Sequence, residues 1–161
     1  MNFYALYASA VWVDFVVALI TKYAPVDVLG GNVTALNEWY KNFEIAAAIE
    51  DILSLMIPVL LAQIFFSEFP LMFVAIVIQI LHDLFFYFAV VLQMPAGHNR
   101  MIDTMKKYGA QGGGRIIVAD SLMIASVVLI YQFLSATFTR GFSGLLGLLG
   151  TYAMVYIVYT K

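Results

Sequence analysis

The side chains of this chain best suited to chemistry are carboxylates, and they stand where carboxylates are costly. Asp14, Glu50, Asp51, Asp83 and Asp120 each fall within a long apolar run. His82 adjoins Asp83, and Gln79 lies four residues before Asp83, on the same helical face. A charged carboxylate in such surroundings needs a proton, a counter-ion, polar partners or water. The chemistry these groups support is proton storage or relay and cation binding. With Asp51, Asp83 and Asp120 as oxygen ligands, a divalent cation is a candidate cofactor, and no cofactor is required by the sequence. Cysteine is absent, which removes thiolate ligands, CxxC redox chemistry and disulfides. The sequence also lacks HExxH, a glycine-rich phosphate loop, GxSxG and the Glu-x-x-His signature of di-metal bundles.

The runs that must position these acids have membrane-crossing length. Leu71 to Leu92 is apolar apart from Gln79, His82 and Asp83. It would extend about 33 Å as a helix, against a hydrocarbon core of about 30 Å. Of the 161 residues, 63% are hydrophobic and 11% charged, with mean hydropathy +0.93. Soluble domains carry about 25% charged residues. The fold class is therefore all-α, a polytopic transmembrane bundle in one domain. Five spans are expected, at 3–22, 43–66, 70–93, 114–138 and 142–159, with longer loops at 23–42 and 94–113. The opening run has no Lys or Arg before it and no obvious cleavage site, so it reads as an uncleaved span and not a signal peptide.

Pro25, Gly30, Gly31 and Asn32 give the first loop its composition. Its Val33 to Tyr40 portion reads as a short interfacial helix with Trp39 and Tyr40 at the membrane surface, and Asn99 to Tyr108 reads as a surface helix in the second loop. Five spans put Lys22, Lys41, Arg100, Lys106, Lys107, Arg115 and Lys161 on one side and Arg140 on the other. The positive-inside rule makes the first side cytoplasmic, with the N-terminus outside and the C-terminus inside. The Asn32, Val33, Thr34 glycosylation pattern then lies on the wrong side to be used.

Counting 1.5 Å per residue, Asp14, Glu50, Asp51, Asp83 and Asp120 lie about 9 to 17 Å from the cytoplasmic end. Four spans thus offer carboxylates to one slab. His82 shares the height, though it diverges from Asp83 around the helix, as Glu50 does from Asp51. Glu44, seven residues before Asp51 and on nearly the same face, extends a polar track toward the cytoplasm. Arg115, five residues before Asp120, is a candidate ion-pair partner for it. Trp12, Tyr87 and Tyr131 could pack over an organic cation.

Outside the slab, His98 and Arg100 could hold a lipid or substrate phosphate, and Lys106 and Lys107, with Tyr108, anionic headgroups. The plainer reading is a helix stop at Pro95 followed by topology-fixing charge. Gly141, Gly144, Gly147 and Gly150 recur every third residue in the last span, a row that allows a helix to approach closely, within the bundle or in self-association. No internal repeat is convincing, since the first two and the next two spans share only loop length and acid placement.

These features favour proton or cation binding and translocation, transporter-like or channel-like, with a homo-oligomer in prospect. One alternative is a structural or assembly protein whose acids fix helix register. A second is a membrane enzyme acting on lipid with carboxylates and a divalent metal. The expected partners are the bilayer and another membrane protein or copy. A net charge of −2 without a basic tract speaks against nucleic acid.

Overall fold

A computed structural model describes residues 1–23 and 34–160, and the regular elements in them are all helical. They are α1 (Phe3–Tyr23), α2 (Thr34–Phe43), α3 (Ile45–Phe65), α4 (Leu71–Phe85) continued by a π-helical turn (Phe86–Val91), α5 (Arg100–Gly112), α6 (Gly114–Thr137) and α7 (Arg140–Tyr159). α1, α3, α4 with its π turn, α6 and α7 are long and apolar enough to cross a bilayer. The chain is an all-α bundle of five long hydrophobic helices, consistent with a multi-span membrane protein. Phe73, Leu81 and Phe85 of α4, Phe133 of α6 and Leu148 of α7 point outward and exposed, a face suited to lipid and ill suited to water.

Small residues set the packing. Ala5, Ala8, Ser9 and Ala10 of α1 are fully buried, as are Ala47 and Ala48 of α3. α7 lies against α1 through its glycines, where a Cβ at Gly147 would stand 2.6 Å from Tyr7 Cδ1 and one at Gly150 would stand 2.7 Å from Val11 Cγ1. Gly144 only reaches the edge of Tyr4, and a Cβ at Gly141 would meet nothing. The glycine row is therefore filled by α1 of the same chain, and Gly147 and Gly150 are not free for self-association.

α1, α3, α4 and α6 form a ring in which each touches the next, and α7 packs outside it on α1. α2 and α5 pack on each other and reach the ring through α3, α6 and the π turn. They are held together by Lys107 Nζ to Glu38 Oε2 at 3.1 Å and by Gln111, whose side chain bonds Thr34 and the Ala35 N–H. Asn99 caps α5 by accepting from the N–H groups of Met101 and Ile102, and Thr139 caps α7 by accepting from that of Phe142.

Single residues separate each surface helix from the long helix after it. Glu44 joins α2 to α3 with φ 50°, ψ −125°, and Gly113 joins α5 to α6 with φ 55°, ψ −140°. Glycine accepts that geometry, whereas glutamate is strained by it. The apolar run expected to be one helix from residue 43 is thus broken at Glu44. Asn32 and Val33 of the glycosylation pattern, and Lys161, lie outside the described residues.

Candidate functional site

At the end where α2 and α5 lie, the ring surrounds a cavity of about 180 Å³, room for several waters or one small molecule. Asp14 reaches it from α1, Glu50 and Asp51 from α3, Gln79, His82 and Asp83 from α4, and Asp120 from α6. The surface helices add Trp39 and Tyr40 from α2 and Thr104 and Tyr108 from α5. Among the described residues, no Lys or Arg lines it.

Asp14 is 1% exposed. Its Oδ1 accepts from the Tyr40 hydroxyl at 3.2 Å, while its Oδ2 has no partner among the described residues. Both oxygens of Asp51 accept from Trp39 Nε1 at 3.3 Å. Burial pushes the Tyr40 phenol well above its ordinary pKa, and the charges of Asp51 and Asp14 push it in the same direction. Burial does likewise to Tyr108, followed by Asp120, Asp51 and Asp83. Both hydroxyls stay protonated near neutrality and remain donors.

On the opposite wall, Asp83 Oδ1 accepts from Gln79 Nε2 at 2.7 Å and lies 3.2 Å from His82 Nδ1. His82 is half exposed and stacks on Phe86 at 5.8 Å between ring centroids. Asp83 Oδ2 and Gln79 Oε1 are buried and have no partners among the described residues. The unpaired atoms here, Asp14 Oδ2, Gln79 Oε1 and Asp83 Oδ2, are all acceptors. The cavity is short of hydrogen-bond donors, the deficit that a proton or a cation bearing N–H groups fills.

The π turn carries the wall into α5. It places Phe86, Tyr87 and Val91 on the cavity, and Gly109 of α5 fits under the Tyr87 ring, where a Cβ would collide. Turns of this kind insert a residue and re-aim side chains, often at functional sites.

Comparisons with protein-family models, curated proteins and solved structures find no match for this chain. The site is therefore read from its own geometry.

Several expectations are corrected by that geometry. Among the described residues, no three acidic or histidine side chains come together as ligands for a metal ion. Asp51 is turned to Trp39 on one wall and Asp83 is tied to Gln79 and His82 on another, so a divalent ion at Asp51, Asp83 and Asp120 does not fit. The acids are spread over the cavity walls and are not gathered into a ligand cluster. Glu44 is not part of the lining. It sits at the break before α3, is exposed, and accepts from the Tyr159 hydroxyl at 3.0 Å. Arg115 donates to the Gln111 carbonyl and forms no ion pair with Asp120. Of the three aromatics singled out, only Tyr87 lines the cavity. Trp12 donates to the Leu146 carbonyl, and Tyr131 donates to Gln63 at the far end.

The loop candidates lie off the cavity. His98 is exposed, Arg100 lies over the Phe43 ring, Lys106 donates to the Met94 carbonyl and Lys107 pairs with Glu38. Conversely, Trp39, Tyr40 and Tyr108 were expected at the membrane surface and instead face the acids. One signal pointed to this. Leu36, Trp39 and Tyr40 recur at i, i+3 and i+4 and all line the cavity, on the face of α2 opposite Glu38 and Lys41.

Proposed function

We propose that this protein binds a cation, the proton included, in the cavity between its spans and carries it across the membrane. The observation that supports this best is the lining itself. Five carboxylates and a set of unpartnered acceptors face one space that, among the described residues, no Lys or Arg enters. Intramembrane acids are costly and commonly mark proton or ion pathways. The seven-to-one distribution of Lys and Arg supports an orientation with α2, α5 and the C-terminus in the cytoplasm, so that the cavity would load from that side. Four spans of a single chain surround it, so an oligomer is not needed to form it.

The test is flux in vesicles containing the purified protein, followed with a pH-sensitive dye and with cation-sensitive dyes. Asp51→Asn and Asp83→Asn are expected to abolish transport. Absence of movement of any cation by the wild type, or transport unchanged in both variants, would overturn the proposal.

A second reading has its own support. Trp39, Tyr40 and Gln79 each donate to a carboxylate, as they would if the acids fixed helix register in a structural or assembly protein. In that case the same substitutions would lower the unfolding temperature or loosen a partner, with no flux to lose.

A further inference from the structure

The ring is built twice. Asp14 and Asp83, Asp51 and Asp120, Trp39 and Tyr108, and the junction residues Glu44 and Gly113 are each 69 positions apart. The elements keep the same frame: a long helix, a surface helix, a one-residue junction with φ near +50°, and a second long helix. α1, α2 and α3 thus correspond to α4 with its π turn, α5 and α6. Packing follows the correspondence, for α1 touches both α3 and α6, α4 touches both α6 and α3, and α2 meets α5. That is the pattern of two units about an approximate two-fold axis running along the ring, with α7 added outside. Parallel repeats of this kind hold their ligands where the units meet. Loop length and acid placement, the two likenesses noted in the sequence, belong to this repeat.

Each unit contributes one aspartate from its first long helix and one from its second. Asp14 and Asp51 belong to the first unit, with the Tyr40 hydroxyl against both. Asp83 and Asp120, neighbours in the cavity wall, belong to the second. Each unit also leaves an acceptor without a partner among the described residues on a side chain more than nine-tenths buried, Asp14 Oδ2 in one and Gln79 Oε1 in the other. We propose, resting on the cation-binding reading above, that the cavity is a duplicated site for a linear diammonium ion, one ammonium group at each aspartate pair.

Charge and chemistry both favour this class. Two positive charges compensate more of the five carboxylates than one does, and two ammonium groups match the two aspartate pairs in number. Each ammonium brings three N–H donors to a cavity short of donors. Leu55, Met123 and Phe86 on the same walls give a methylene chain apolar and aromatic surface to lie against.

The proposal is tested by calorimetric titration of the purified full-length protein, at fixed pH and ionic strength, with diamines from ethylenediamine to hexamethylenediamine. Butylamine, tetramethylammonium and sodium serve as single-charge probes. One diamine is expected to bind at least about tenfold more tightly than butylamine, with a maximum at one chain length. Asp14→Asn and Asp83→Asn should each bring that diamine down to the butylamine level by similar factors. Should a variant fail to fold, the wild-type series alone decides. Butylamine binding as tightly as every diamine, or proton or sodium binding without amine binding, would overturn the diammonium site and leave the cation reading standing. No saturable binding of any cation or proton would overturn both.

Discussion

Tyr40 reaches from α2 to Asp14 on α1 and supplies the only protein donor to that carboxylate among the described residues. Tyr40→Phe therefore strands a buried acid and is expected to lower stability by about 1–3 kcal/mol, measured as thermal unfolding in detergent. An unchanged midpoint would show that Asp14 draws its proton or partner from elsewhere. The raised phenol pKa has a second consequence. The folded value lies above the unfolded one near 10.0, so the unfolded chain releases this proton first. Stability from Tyr40 is complete below pH 10 and declines as pH rises through and beyond it. Unfolding followed up the alkaline range should show this decline in the wild type and less of it in Tyr40→Phe. That Asp14, Asp51, Asp83 and Asp120 line one cavity was legible in part from helix rise, because position along a helix is a count of residues. Their donors were not. Whether Trp39 and Tyr40 face lipid headgroups or protein depends on how α2 is turned, and that depends on the break at Glu44.

At the scale of elements, the two junctions invite paired substitutions. Glu44 holds a positive φ without being glycine, so Glu44→Gly should relieve strain and raise stability by about 1 kcal/mol. Gly113→Ala introduces the same strain at the equivalent position and should lower stability by about as much. Opposite signs from the two variants, read in one unfolding assay, would support the equivalence of the junctions, and equal signs would contradict it. The α1–α7 contact gives a further expectation. Gly150→Ala drives a methyl into Val11 and Trp12, an overpacking that costs about 1–3 kcal/mol, measured by the same unfolding. Gly141→Ala, where a Cβ meets nothing, is its control. The five apolar runs were plain in the sequence because length and composition alone mark a helix able to cross a bilayer. A one-residue break was not, since Glu44 lies amid helix-forming neighbours and nothing in its composition marks a positive φ.

For the whole molecule, hydropathy sufficed to read five long helices but could not order them in space. The ring order rests on which small residues face which neighbours, and those faces emerge only when Ala47, Ala48 and the α7 glycines are seen against their partners. The repeat was hidden for a related reason. Positions facing lipid interchange Leu, Ile, Val and Phe freely, so the two units share few residues at the 69-position offset, among them the cavity-lining Asp14 with Asp83 and Asp51 with Asp120. Whether these acids hold a cation in their cavity is decided by equilibrium binding. Protons and cations bound per chain are measured for the wild type and for the double variant Asp51→Asn, Asp83→Asn, with helicity and unfolding followed in parallel. A saturable site is expected in the wild type, and its loss in a folded double variant. Wild-type protein with no saturable proton or cation binding, or a double variant that binds as the wild type does, would contradict cation binding by these acids.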